Sequence, residues 1–216
     1  MLAETLRSEV LETAKALKKH GLVWMAGGTV CAREPETGHV VVTPSGMSYD
    51  DLSPADMIVT DIDMNVLDGA WRPSVAHNLW TGFLRARPDI HAIVHTHSTH
   101  ATAFSVTNQP IPIVTETMAN WLGAPVPVVP YISVEDPQFV SKPVEALGDG
   151  YAVLLGRHGP IVVGADLEKA LERAVTLEEG AKIYFAAKVL GEPEVFPADQ
   201  ARASFDFYTQ RYGQNT

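Results

Sequence analysis

Residues 91–97, HAIVHTH, and residues 101–106, ATAFSV, decide how the middle of this chain folds. The first stretch predicts a buried strand, and the second predicts a helix. Residues two apart on a strand point to the same face, so His95 and His97 present two imidazoles side by side. They could be ordinary strand-end histidines, but two unpaired imidazoles are costly to bury. The spacing therefore makes them a candidate chelating pair.

A third histidine, His158, lies in the turn sequence GRHGP between two short apolar segments, Tyr151–Leu155 and Ile161–Val163. We expect a hairpin-like arrangement in which the turn fixes the side chain and makes it a suitable remote ligand. Three neutral imidazoles leave open positions on zinc, as expected of a catalytic site. Such an ion could polarise a carbonyl and stabilise an enediolate, or acidify a water molecule for hydrolysis. The identity of the ligands alone does not distinguish carbonyl polarisation from hydrolysis.

Outward from these histidines, hydrophobic periodicity and turn residues predict the remaining elements. Helices are expected at about Glu4–His20, Val75–Arg87 and Leu167–Leu190, and strands at 39–43 and 57–63. The proline-rich runs 110–114 and 125–131 are expected to be edge strands or connections. Strands and helices alternate without a regular βαβ repeat. This favours a layered sheet with covering helices over a doubly wound fold.

Composition limits the class of protein. The 216 residues are 46% hydrophobic, which suits one domain spanning 1–216. The formal charge of -10 works against binding to nucleic acid. We expect a cytoplasmic protein, because there is no signal-peptide pattern and no long apolar run. Cys31 is the single cysteine, so an internal disulfide is excluded and a metal must rely on histidine and carboxylate ligands.

Several motifs occur together in a characteristic order. They are VVTPSGMSYDDLSPADM (41–57), RARPD (85–89), IVHTHSTHATAFS (93–105), LLGRHGPIVVG (154–164) and EKALERAVTLEEGAKIY (168–184). In this order and spacing they resemble the class II aldolase and adducin-head family, which includes L-fuculose-phosphate aldolase and L-ribulose-5-phosphate 4-epimerase. The resemblance covers essentially the whole chain.

The resemblance implies a single three-layer αβα domain, an α/β fold whose central, largely antiparallel sheet is covered by helices. It also implies a homotetramer with active sites at subunit interfaces. His95, His97 and His158 would be ligands of Zn²⁺, with Mn²⁺, Co²⁺ or Fe²⁺ as alternatives. The family's phosphate-binding turns map onto Gly28, Thr29, Ser45, Gly46 and Ser74. Backbone N–H groups and hydroxyls can hold an anion there, although any one of these glycines could serve only to turn the chain.

Near the end of the chain, Tyr212 resembles the tyrosine with which the aldolases donate a proton. A phenol can protonate a leaving alkoxide or stabilise it by hydrogen bonding. The alternative is an aromatic anchor for the tail.

The sequence departs from the family pattern at the reacting groups. Ala76 stands at the position of the aldolase carboxylate, and a methyl group can neither ligate a metal nor accept a proton. Val75 replaces a phosphate-binding serine, and Thr29 stands where aldolases usually carry asparagine. Asn120 aligns with an epimerase aspartate, but an amide is no general acid or base. The neighbouring His77 or a metal-bound water could replace the missing base.

These features predict a zinc-dependent lyase that cleaves or forms a C–C bond in a small hydroxylated carbonyl compound or sugar phosphate through a metal-stabilised enediolate. His77 and Tyr212 are the candidate catalytic side chains. The alternatives are a sugar-phosphate 4-epimerase, a decarboxylase that needs no proton-abstracting carboxylate, or a non-catalytic member of the family. The three retained histidines argue against the last, because a module used only for association would have no chemical need for them.

Overall fold

The computed structural model describes residues 1–211 and shows a mixed α/β fold, as expected. Within that range seven α-helices accompany one eight-stranded sheet. The helices are α1 (Glu4–Lys19), α2 (His77–Ala86), α3 (Thr99–Val106), α4 (Glu116–Leu122), α5 (Ser141–Leu147), α6 (Leu167–Leu190) and α7 (Ala198–Arg211). The strands are β1 (Thr29–Arg33), β2 (Val40–Val42), β3 (Ile58–Thr60), β4 (Val66–Asp68), β5 (Ala92–His95), β6 (Val128–Val129), β7 (Ala152–Leu155) and β8 (Gly159–Gly164).

The strand order is β4-β3-β2-β1-β5-β8-β7-β6. Of the strand pairs in residues 1–211, β6–β7 is parallel and the others are antiparallel. Strand β5 lies between β1 and β8, and His95 is opposite Thr29 on one side and Ile161 on the other. The start of β1 and the β7–β8 turn therefore meet at the end of β5.

Apolar side chains cover both faces of the sheet. Alternate residues of β5 point in opposite directions, so Val94 joins one buried cluster and Ile93 joins the other. The first cluster packs against α1 and α6, and the second packs against α2. Because both faces are buried there, β2 and β7 consist of apolar residues throughout. None of the helices in the described range is both long and apolar enough to cross a membrane.

The longest helices were predicted best. The long helix α6 has the predicted bounds, and α1 ends one residue before its predicted end at His20. The helix predicted from Val75 begins at His77. Helices α4, α5 and α7 and strands β1 and β4 were not predicted. Helix α4 has only seven residues, between the cap Thr115 and Gly123, which is too short for a clear period.

Candidate metal and substrate site

Three histidine side chains converge where β5 ends. His95 is the last residue of β5, His97 follows two residues later, and His158 lies in the turn between β7 and β8. The Nε2 atom of His95 is 3.1 Å from Nε2 of His97 and 3.2 Å from Nε2 of His158. All three candidate ligand atoms lie within 4.8 Å of one another. The antiparallel pairing of β5 with β8 thus brings together residues that are 63 positions apart.

The orientation of the His95 ring is fixed by a hydrogen bond at Nδ1, the nitrogen that does not face the other two histidines. Its Nδ1 is 3.0 Å from the carbonyl oxygen of Pro160. A carbonyl only accepts, so Nδ1 carries the hydrogen and donates it, and Nε2 keeps its lone pair. The indole of Trp80 packs against the same imidazole, with ring centroids 5.5 Å apart. His95 therefore directs an unprotonated nitrogen toward the other two histidines.

The surroundings keep the three imidazoles neutral. Burial lowers the pKa of His95 well below its usual value, and the nearby His158 and His97 lower it further. Burial also lowers the pKa of His97, and burial together with His97 lowers the pKa of His158. Desolvation disfavours the charged imidazolium. At neutral pH all three side chains are in the form that binds metal.

The geometry fits a divalent ion. Tetrahedral zinc with Zn–N bonds of about 2.05 Å places its ligand nitrogens about 3.3 Å apart. The observed separations of 3.1 and 3.2 Å are close to this value. A purely imidazole set suits zinc and neighbouring first-row ions better than Mg²⁺ or Ca²⁺, which prefer oxygen ligands.

The histidines form one wall of an open pocket. The other walls are three turn segments, 26–29, 44–46 and 74–76, together with Trp80. The residues expected to bind substrate all line this pocket, namely Gly28, Thr29, Ser45, Gly46 and Ser74. The Oγ of Ser74 accepts hydrogen bonds from the Thr29 hydroxyl and from the Ala76 amide, each at 3.4 Å. The structure therefore brings the candidate substrate turns and the candidate metal ligands into one cavity.

Two glycines allow the backbone to approach the histidines closely. A Cβ on Gly27 would lie 2.8 Å from Nδ1 of His97. A Cβ on Gly159 would lie 2.3 Å from the carbonyl oxygen of Thr96, and its φ of +150° also disfavours a side chain. Sequence reasoning overlooked Gly27 and treated Gly159 only as a turn residue. The Gly27-Gly28 pair before a β-branched segment was the available signal.

Two other candidate residues lie apart from this pocket. His77 is 4% exposed, its Nε2 is 3.0 Å from the hydroxyl of Thr60, and burial lowers its pKa to about 4. His77 is not among the described residues that line the histidine pocket. The structure therefore does not place His77 where it could replace the missing carboxylate base. Asn120 is on α4, where its Oδ1 accepts a 2.7 Å hydrogen bond from the Ser204 hydroxyl. Tyr212 lies outside the described residues.

A carboxylate that sequence reasoning missed supports the segment after His97. Glu178 on α6 accepts hydrogen bonds from the backbone amides of His100 and Ala101, at 2.9 and 3.0 Å. It also accepts one from Nδ1 of His100 at 2.8 Å. These amides belong to the first turn of α3, whose N–H groups have no partner within the helix. Glu178 therefore anchors the start of α3, close in the chain to His97.

Comparisons with known proteins agree with this arrangement. A family model, described as the class II aldolase and adducin N-terminal domain, matches residues 8–185. A 5-deoxy-D-ribulose 1-phosphate aldolase of Bacillus thuringiensis serovar kurstaki is 32% identical over 200 residues, which cover 93% of each chain.

Solved structures match over a similar extent. An L-fuculose 1-phosphate aldolase superposes with a TM-score of 0.92 at 28% identity and covers 97% of this chain and 98% of its own. YgbL from Escherichia coli, described as a candidate aldolase, epimerase or decarboxylase, superposes with a TM-score of 0.83 at 28% identity. That match covers 95% of this chain and 100% of YgbL.

Proposed function

Because the chain belongs to the class II aldolase and adducin N-terminal domain family, we propose that it is a carbon–carbon lyase acting on a sugar phosphate or a similar small hydroxylated carbonyl compound. The observation that carries the proposal is the convergence of three neutral histidines in a pocket that is also lined by turns containing serine and glycine. The first feature suits a Lewis acid and the second suits an anionic or hydroxylated substrate.

The three histidines would hold one divalent ion, with zinc as the first choice and Mn²⁺, Co²⁺ or Fe²⁺ as alternatives. Bound there, the ion would polarise the substrate carbonyl and stabilise the enediolate that C–C cleavage produces. The protein's contribution is to orient the ligands. The hydrogen bond from His95 to the Pro160 carbonyl fixes the ring, and Trp80 packs against it.

The turns would hold the other end of the substrate. Ser45, Gly46 and Ser74 line the same pocket as the histidines and carry hydroxyls and backbone amides. These groups can bind a phosphate without positive side chains. Thr29 extends the same surface at the start of β1. Tyr212 would donate the proton to the leaving group.

A decarboxylase is the second candidate, and one observation favours it. No carboxylate lines the pocket within residues 1–211. Aldol cleavage requires a base that removes a hydroxyl proton, whereas loss of carbon dioxide leaves the electron pair on the substrate without prior proton abstraction. A 4-epimerase would use the same cleavage followed by recombination of the fragments.

Two measurements, made one after the other, test the proposal. Elemental analysis of the full chain should find one zinc or related ion per chain, and a His95→Ala variant should lose it. The metal-loaded protein should then cleave a member of a panel of ketose 1-phosphates and free ketoses to a dihydroxyacetone-type product. Release of carbon dioxide from hydroxy or oxo acids would select the decarboxylase instead. Absence of stoichiometric metal would defeat both.

We further propose a homotetramer with its sites between subunits. Its support is that four large apolar side chains in the second half of α6 are exposed, namely Ile183, Phe185, Val189 and Leu190. Contact with a second subunit would remove such side chains from water. Sedimentation equilibrium should give the mass of four chains.

A further inference from the structure

A short segment joins His97, a candidate metal ligand, to the first turn of α3. The helix begins at Thr99, two residues after His97. The backbone amide of His97 donates to the carbonyl oxygen of Leu22 at 3.1 Å. Ser98 occupies the N-cap position, but its side chain makes no capping hydrogen bond within residues 1–211. The side chain that commonly holds a helix start from this position therefore does not hold α3.

The acceptor for the first turn of α3 comes instead from α6. One carboxylate oxygen of Glu178 accepts from the backbone amide of His100 at 2.9 Å and from Nδ1 of the same residue at 2.8 Å. The other oxygen accepts from the amide of Ala101 at 3.0 Å. Because both oxygens are engaged, the carboxylate fixes the direction of the helix start as well as its distance from α6. Its negative charge also lies at the positive end of the helix dipole.

The helix that carries this carboxylate is firmly packed. Glu178 lies within the 24-residue helix α6, between two neighbours in the chain and on the helix, Leu177 and Ala181, that belong to the first buried cluster. The side chain of Glu178 is itself mostly buried. The position of the first turn of α3 relative to the sheet is therefore set by α6.

The three candidate ligands are supported in different ways. His95 belongs to β5, and His158 lies in the turn between the paired strands β7 and β8. His97 lies beyond the last residue of β5, so its place depends on the segment that leads into α3. Its Nε2 is 3.1 Å from Nε2 of His95, and a shift of the start of α3 would change that separation.

We infer that Glu178 is a positioning residue for the metal site: through the first amides of α3 it holds His97 at the separation from His95 that a divalent ion requires. This rests on the proposed function, because it assumes an ion on the three histidines. It gives Glu178 a role in metal affinity that is separate from its contribution to the stability of the fold.

The zinc affinity of the folded full chain tests this role. Glu178→Ala should weaken zinc binding about tenfold, as loss of a group that orients a ligand does. Competition with a chromophoric chelator, without denaturant, measures the affinity.

Thr115→Ala is the matched control. The Thr115 hydroxyl accepts from the amide of Met118 at 3.2 Å and so caps α4, none of whose residues lines the histidine pocket. This substitution also removes an acceptor at a helix start and also destabilises the fold. It should leave the zinc affinity unchanged.

Cobalt gives a second readout, because the visible absorption of bound Co²⁺ depends on its coordination geometry. Metal-free protein titrated with cobalt chloride should give a different spectrum in Glu178→Ala and the wild-type spectrum in Thr115→Ala. Loss of stability alone would not alter the spectrum of folded, loaded protein.

If Glu178→Ala does not fold, Glu178→Gln replaces it in both measurements. Glutamine keeps the bulk but only one acceptor oxygen, so one amide loses its partner and zinc binding should weaken about threefold or more.

Unchanged zinc affinity or an unchanged Co²⁺ spectrum in the Glu178 variant that folds would overturn the inference and leave the proposed function intact. Equal weakening in Thr115→Ala would overturn it too, because the effect would then follow stability. A wild-type chain that binds no zinc would defeat the proposed function and the inference together.

Discussion

Single residues control how closely the backbone approaches the candidate metal ligands. Gly27 can lie against the ring of His97 only because it lacks a side chain, since an added Cβ would be 2.8 Å from Nδ1. Real Cβ contacts are not that short, so His97 would have to move. The position of His97, a candidate ligand, therefore depends on a residue that has no side chain with which to bind metal.

We expect Gly27→Ala to weaken zinc binding by about tenfold or more, as changes to residues that orient metal ligands do. The φ of Gly27 lies outside the left-handed range between +20° and +160°, so the added methyl group acts through its contact with His97 rather than through backbone strain. Competition with a chromophoric chelator measures the affinity.

Gly191→Ala is the matched control. Its φ of 163° is extended, and a Cβ there would meet nothing within 4 Å among the described residues. Unchanged zinc affinity in Gly27→Ala would show that His97 has room to adjust.

At the scale of secondary structure, the site depends on how α3 is held. Helix α3 starts at Thr99, two residues after His97, and its first amides are bound by Glu178 from α6. A helix start that is left without acceptors loses hydrogen bonds and frays. The long helix α6 therefore helps to fix the segment that carries His97.

We expect Glu178→Ala to lower the free energy of unfolding by about 1–3 kcal/mol, because two partly buried amides would lose their carboxylate acceptor. The side chain of Glu178 is 12% exposed. Urea unfolding measures the change.

The adjacent Glu179→Ala serves as the control. That side chain is 60% exposed and pairs with Lys182 at 3.8 Å, so its loss should change stability by less than about 0.5 kcal/mol. Equal effects of the two substitutions would contradict the anchoring role of Glu178.

At the scale of the whole molecule, buried histidines couple stability to pH. Burial lowers the pKa of His77 from its ordinary 6.5 to about 4, so the folded protein resists a proton that the unfolded chain accepts. The unfolded state then binds more protons between about pH 6.5 and 4, and stability rises with pH in that range. Acid therefore destabilises the fold, and the effect is absent well above pH 6.5.

For the metal-free chain, we expect the free energy of unfolding to fall as the pH is lowered from 6.5 toward 4. The contribution of His77 should reach about 1.4 kcal/mol per pH unit at most. His77→Gln should have a shallower pH dependence, whatever its stability at pH 7. Urea unfolding at a series of pH values measures the slopes.

His20→Gln, at an exposed position, is the control and should retain the wild-type slope. A wild-type slope in His77→Gln would show that His77 does not contribute to the acid sensitivity.

Local patterns in the sequence determined much of this protein. The period-two spacing predicted that His95 and His97 lie side by side, and their Nε2 atoms are 3.1 Å apart, although β5 ends at His95 and not at His97 as predicted. The helical pattern gave the bounds of α6. Turn residues around His158 indicated a hairpin, which β7 and β8 form. These features depend on interactions between residues close in sequence. The motif order also identified the family that the comparisons show.

Only the tertiary structure decided which distant segments meet. The placement of β5 between β1 and β8 sets the 3.2 Å separation of His95 and His158 and brings Thr29 beside them. The tertiary structure also places His77 against Thr60 of β3 and apart from the pocket that Ala76 lines, although Ala76 and His77 are adjacent in the chain. The physical reason is that strand pairing and core packing act between residues far apart in sequence. Spacing and periodicity encode only the local geometry.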